Sequence, residues 1–187
     1  MPADFFRQFG ILTEQEIKEA QSLFSFRELR RNDYFAREGE PCREIAYVQS
    51  GLFRSYYPDA KGSDTTFCFR FQGEMIASYS SFITGLPGNE TIQALTPARL
   101  QVISREAINR LADKSVNWVR VLKVIAETEY VELEKRVLQL QKNNASQRYQ
   151  ELIQTQPAYI NDIPLQYLAS YLGITQRHLS RIRRERI

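Results

Sequence analysis

The chain has 187 residues, 43% hydrophobic and 25% charged, with a formal net charge of +3. That is the composition of an ordinary soluble protein, long enough for one large or two small domains. No run of about 18 apolar residues is present to span a bilayer, and the opening MPADFFRQFG is too short and broken for a secretion signal, so a cytoplasmic protein is expected. The charge is unevenly placed. From Ser146 onward six arginines (148, 177, 181, 183, 184 and 186) face Glu151, Asp162 and Glu185, and the first 145 residues balance at nineteen of each sign. Cys42 and Cys68 lack metal-ligand spacing and read as reduced thiols.

In chain order, residues 3–23 read as two short helices separated by Gly10. Thr13 and Glu16 form a capping box, and Ile17, Ala20 and Leu23 form the apolar stripe. From about Phe26 to Ser104 the pattern becomes short extended runs: Leu29–Tyr34, Ile45–Gln49, Leu52–Tyr57, Thr65–Phe71, Thr91–Leu95 and Arg99–Ile103. Turn residues separate them at EGEP (38–41), Ser50-Gly51, PDAKGSD (58–64), Gln72-Gly73 and Thr96-Pro97. Strands at this spacing predict an antiparallel sandwich, barrel or jelly roll, with Phe67, Phe69 and Phe71 as one buried face.

Arg105–Asp113 predicts a short helix, and a long one runs from Ser115, its cap, to Lys142. Its apolar positions are broad at first (Trp118, Val119, Val121, Leu122, Val124, Ile125, Ala126) and then narrow to Tyr130, Leu133, Val137 and Leu140. A helix apolar on two faces has two partners, here the β domain and a second copy of the chain. Asn143-Asn144 reads as a hinge. A helix over Ser146–Thr155, closed by Pro157, follows it.

The last stretch, IPLQYLASYLGITQRHLSRIRR (163–184), reads as helix, tight turn and helix. Pro164 suits the first helical position, and Leu165, Leu168, Ala169 and Leu172 recur at helical spacing. Gly173 stops the helix, and Thr175 caps the next one. There Leu179 and Ile182 face inward, leaving Gln176, Arg177, Ser180, Arg181, Arg183 and Arg184 on other faces. Such a helix suits a DNA major groove: Arg reads guanine, Gln reads adenine, and further cations hold phosphates. Arg177, Arg181 and Gln176 are the expected base contacts, and Arg183, Arg184 and Thr175 the expected phosphate contacts. His178 either touches DNA or lies on the domain surface.

This order of elements resembles the cyclic-AMP receptor protein (Crp/Fnr) family of transcription regulators over almost the whole chain. EGEPCREIAYVQSGLFRSYY (38–57) is similar to its early barrel strands, and FQGEMIASYSSFITGLPGNETIQALTPARLQVISREAINRL (71–111) to its phosphate-binding cassette and the strands after it. Leu165–Arg184 is similar to its helix-turn-helix. The resemblance implies an α+β chain in three parts. Residues 1–113 would be the N-terminal helices and an antiparallel β jelly-roll, cyclic-nucleotide-binding-like effector domain. Residues 114–143 would be a long dimerisation helix, and 144–187 a C-terminal helix-turn-helix DNA-binding domain. Many family members continue into a short β wing, whereas this sequence stops three residues beyond Arg184.

The resemblance also bears on the effector. Members that bind cyclic nucleotides open the cassette with Gly-Glu, which Gly73-Glu74 keep. They return with an Arg that neutralises the cyclic phosphate, where this chain has Pro87-Gly88-Asn89-Glu90. Tyr130–Glu134 are bulky and acidic near where cyclic-AMP binders present small hydroxyl residues. A small effector other than cyclic AMP is therefore expected, in a pocket of Gly73, Glu74, Met75, Ile76, Asn89, Glu90 and Thr91. Two cysteines cannot hold an iron–sulfur cluster, and no His precedes His178 to ligate haem or an oxygenase metal. The protein is expected to be no enzyme and to carry no cofactor or metal. Its expected partners are double-stranded DNA, a second copy of itself, a small effector and RNA polymerase, with no membrane. The residues leave a second reading open: a small-molecule or protein-binding sensor with no DNA-binding role.

Overall fold

The computed structural model describes residues 1–59 and 62–185. Ala60 and Lys61 of the expected 58–64 turn, and Arg186 and Ile187 at the terminus, lie outside the described residues. The described chain divides into two compact units. One comprises Met1–Tyr57 with Cys68–Ala126, the other Pro58–Phe67 with Glu127–Ile187.

The first unit opens with α1 (Pro2–Arg7) and α2 (Glu14–Ser22). The Thr13–Glu16 capping box is formed: Thr13 Oγ1 accepts from Glu16 N at 3.2 Å, and Glu16 Oε2 accepts from Thr13 N at 2.7 Å. Eight strands follow, β1 (Ser25–Leu29), β2 (Tyr34–Ala36), β3 (Glu44–Ser50), β4 (Phe53–Pro58), β5 (Asp64–Arg70), β6 (Met75–Ile76), β7 (Thr91–Ala94) and β8 (Ala98–Ser104). They form two four-stranded sheets of order β1-β8-β3-β6 and β2-β7-β4-β5. The sheets share a core of Ala46, Val48, Phe53, Ile76, Ile92, Ala94, Ala98, Leu100 and Val102, drawn from both faces. The antiparallel sandwich expected from strand spacing is present.

The structure departs from the sequence reading at several points. The run Leu29–Tyr34 is not one strand. Asn32 takes φ 73°, Asp33 Oδ2 accepts from Arg30 N at 2.7 Å, and the chain turns between β1 and β2; Asn tolerates that backbone better than most side chains. In β5, Phe69 is buried, whereas Phe67 is exposed and Thr66 is buried, so the aromatic alternation is not one buried face. A short helix, α3 (Tyr79–Thr84), was not expected between β6 and β7.

After β8 come α4 (Arg105–Lys114) and α5 (Val116–Lys142). A second core gathers α1, α2, α4 and the start of α5: Phe6, Ile17, Ala20, Ile108, Leu111, Trp118 and Val121 are buried in it. Trp118 stands edge-on to Phe6 at 5.0 Å between centroids, which fixes the start of α5 on this unit. Ser115 sits at that start, its Oγ accepting from Asn117 N at 3.2 Å.

The second unit contains the later turns of α5, then α6 (Ala145–Thr155), α7 (Pro157–Asp162), α8 (Leu165–Tyr171) and α9 (Gln176–Arg184). Pro157 does not merely end α6. It occupies the first turn of α7, where its missing N–H costs nothing. Asn144 caps α6 through a capping box with Gln147, and the two units divide between Ala126 and Glu127, inside α5. Among the described residues no helix is long and apolar enough to cross a membrane, and no cluster of three or more His, Cys, Asp or Glu is placed to hold a metal.

Glu16 ties α2 to α5. Its carboxylate accepts from Ser115 Oγ and from Asn117 Nδ2 (3.4 and 3.3 Å) as well as from Thr13. The Ser115 hydroxyl and the Thr13 amide hold its pKa down to about 2, against an ordinary 4.5. A depressed carboxyl stabilises the fold above its unfolded pKa and loses that contribution as pH falls through the folded value. Urea denaturation should therefore find Glu16→Gln less stable than the wild type by about 1 kcal/mol at pH 7, the order of a charged cap hydrogen bond. The gap should close between pH 4.5 and 2.

Candidate nucleic-acid interface and effector segment

The C-terminal helices are arranged by one turn. Gly173, at φ 66°, allows Ile174 N to bond Ala169 O and Gly173 N to bond Ser170 O, both at 3.0 Å, which closes α8 in a Schellman motif. Two residues on, Thr175 Oγ1 accepts from His178 N at 3.2 Å and opens α9. Leu168, Ala169, Leu172, Leu179 and Ile182 are buried between the helices, with Tyr149 and Leu152 of α6 also buried. The last carbonyls of α8 do not go bare. Arg136 of α5 donates to Tyr171 O, with its guanidinium 3.8 Å from the Tyr171 ring centroid, and Arg148 of α6 donates to Leu172 O at 3.1 and 2.9 Å.

On α9, Gln176, Arg177, Arg181 and Arg184 are exposed. Arg177, Arg181 and Arg184 lie at i, i+4 and i+7, on one face of the helix. Arg181 Nε is 3.8 Å from Glu185, both exposed, a pair of little worth in water and readily exchanged for another anion. Ser180 and His178 are half-buried beside this face. Arg183 stands apart from the other candidates. Its guanidinium lies 5.8 Å from the Tyr149 ring, and its Nε and Nη2 are buried. Thr175 is engaged as the helix cap. The exposed cationic face is therefore Gln176, Arg177, Arg181 and Arg184.

The candidate effector residues fall on a turn, on β6 and at the entry to β7. Gly73 and Glu74 sit in the turn between β5 and β6, where Gly73 N donates to Val48 O and Glu74 Oε2 accepts from Phe71 N at 2.7 Å. Met75 and Ile76 are β6 itself, paired with Tyr47 and Ala46, and Ile76 is core. Asn89 is exposed and Glu90 half-buried. Thr91 Oγ1 accepts from Glu38 N at 3.1 Å.

The residues that join the two ends of this segment are ones the sequence reading did not single out. Ser78 and Ser81 are each 1% exposed, and Ser81 Oγ accepts from Cys42 N at 2.9 Å. Gly88 exchanges backbone bonds with Gly39 and Glu40. A Cβ at Gly88 would lie 2.8 Å from Ser78 Oγ, so any side chain there collides with the start of α3. The signal for α3 was Gly85 after Tyr-Ser-Ser-Phe-Ile-Thr, a helix-ending glycine, here at φ 77°. The nearby Cys42 thiol is pushed up by burial and stays protonated.

One face of α5 carries an exposed apolar stripe. Val119, Tyr130, Leu133, Val137 and Leu140 are 43–65% exposed. With Ala126 they fall at alternating intervals of seven, four, three, four and three residues, the repeat of a coiled-coil seam.

Residues 26–115 match the cyclic nucleotide-binding domain family. No curated protein matches the chain. Among solved structures the chain resembles FixK2 from Bradyrhizobium japonicum with TM-score 0.76 and 18% identity, over 87% of this chain and 83% of that one. It resembles a putative transcriptional regulator of the Crp/Fnr family from Eubacterium rectale with TM-score 0.74 and 17% identity, over 97% and 87%. The c-di-GMP-responsive global regulator CLP of Xanthomonas campestris matches with TM-score 0.72 and 16% identity, over 92% and 91%.

Because Gly88 has no room for a Cβ, Gly88→Ala should lose about 1–3 kcal/mol in thermal unfolding, the usual cost of overpacking. Adding Ser78→Ala should restore part of that loss. Residues 26–115 thus match the cyclic nucleotide-binding domain family, and the chain has the fold of the solved regulators it resembles.

Proposed function

We propose that the chain is a dimeric Crp/Fnr-type transcription regulator that reads a near-palindromic DNA site through α9, acts in the cytoplasm and works with RNA polymerase. The observation that carries this reading is the α9 face. Arg177, Arg181 and Arg184 form one exposed stripe beside Gln176, on a helix fixed at its start by the Gly173 turn and the Thr175 cap. Arg177, Arg181 and Gln176 are assigned to base edges and Arg184 to phosphate. The half-buried Arg183 supports α9 from behind, against Tyr149. The heptad stripe on α5 supports pairing with a second copy, which would present two α9 helices about 34 Å apart to successive major grooves.

The effector assigned to the β domain is not cyclic AMP. A cyclic phosphate needs a cation, and position 88 is a glycine that admits no side chain, followed two residues later by Glu90.

In a fluorescence-anisotropy titration, Arg177→Ala with Arg181→Ala should weaken operator binding by at least about 30-fold, from about 1–3 kcal/mol for each base contact. The wild type should lose affinity steeply as salt rises. A wild type with no DNA affinity at low salt would instead favour a sensor that has no DNA role. Leu133→Glu should convert the dimer to a monomer in sedimentation with the circular-dichroism spectrum retained. Cyclic AMP should leave the melting temperature unmoved.

A further inference from the structure

We propose that the Ser170 hydroxyl is a latch joining strand β5 to α8, a second mechanical route, beside α5, by which the β domain governs the position of α9. β5 is the edge strand of its sheet, in the order β2-β7-β4-β5. Two successive groups on that edge meet one side chain. Ser170 Oγ accepts from Thr66 N at 2.9 Å and donates to Asp64 O at 3.1 Å. The hydroxyl thus stands where a neighbouring strand's amide and carbonyl would stand.

A serine within a helix commonly bonds back to its own helix four residues earlier. Ser170 instead spends both its donor and an acceptor lone pair on β5. It also lies in the last turn of α8, one and two residues from the carbonyls of Tyr171 and Leu172 that Arg136 and Arg148 hold, and its own carbonyl accepts from Gly173 N. The latch therefore grips α8 at the turn from which α9 springs. Asp64–Phe67 belong to the same compact unit as α8 and α9, and the strand continues covalently through Cys68 to Arg70 in the other unit. A shift of β5 would be passed to α8 through Ser170, without passing along α5.

The test is hydrogen exchange on the full chain as wild type, Ser170→Ala and Ser170→Thr. Loss of the hydroxyl should speed exchange of the Thr66 amide at least tenfold. Amides over 165–184 should speed up with it by at least threefold, while those of Val48 and Leu100 in the barrel core stay unchanged. Ser170→Thr, which keeps the hydroxyl, should restore wild-type rates. An unchanged Thr66, or a faster Thr66 with 165–184 unchanged, overturns the latch.

The second arm rests on the DNA-reading proposal. With a duplex operator at low salt, Ser170→Ala should bind at least threefold more weakly than the wild type, and equal or tighter binding overturns the coupling to α9. A wild type that binds no DNA overturns the DNA reading instead, and the exchange rates alone then decide the latch.

Discussion

A helix leaves its last carbonyls without partners inside itself, and at the end of α8 two guanidinium groups take them. Arg136 comes from α5 and Arg148 from α6, so one helix terminus gathers three helices. Cations at a helix C-terminus are favoured by its dipole, and charged hydrogen bonds are roughly twice as strong as neutral ones. Arg136 adds its flat face to the Tyr171 ring, which in turn stands 5.5 Å from Tyr159 of α7. A lysine could supply the charge at either position but not the fork or the stacking. The position of α9 depends on this end of α8, because only Gly173 and Ile174 separate it from the Thr175 cap.

The two candidate sites differ in kind. The α9 end is an exposed polar face on a tightly braced support. The effector segment is closed by small residues in contact: Ser78 under Gly88, Ser81 against Cys42, and Gly39 and Glu40 strapped to Gly88. Glycine and serine at these positions let backbone pack on backbone, and the same packing removes the space that a cationic side chain at 88 would occupy. The loop around Gly88 is packed on the start of α3.

The C-terminal helices and the Thr13–Glu16 capping box were legible because each rests on local chemistry that the sequence states outright. Gly173 needs positive φ, Thr175 needs a free amide three residues on, and Thr13 and Glu16 satisfy each other. The strand pattern was legible in outline because period-two burial is local too. What was not legible depended on partners distant in sequence. Asn32 breaks the Leu29–Tyr34 run because its amide bonds Ala94 O, sixty-two residues away. The position of Arg183, 5.8 Å from the Tyr149 ring, depends on a residue thirty-four positions earlier. Residues such as Ser78 and Ser170 were passed over because a serine carries no signal until its neighbours are known.

The long helix shows how three demands share one element. Trp118 and Val121 bury its first turns in the β unit, while Arg136 and Gln139 reach α8 and α6 later on. At roughly 100° per residue, Arg136 and Gln139 lie about 60° and 120° round from Leu133 on one side, while Tyr130 and Val137 lie on the other. A partner helix seated on Tyr130, Leu133, Val137 and Leu140 would leave Arg136 free to keep its hold on Tyr171. The seam and the brace occupy neighbouring faces of the same turns, so pairing of two chains would stiffen the helix that α8 is fastened to without displacing the fastening.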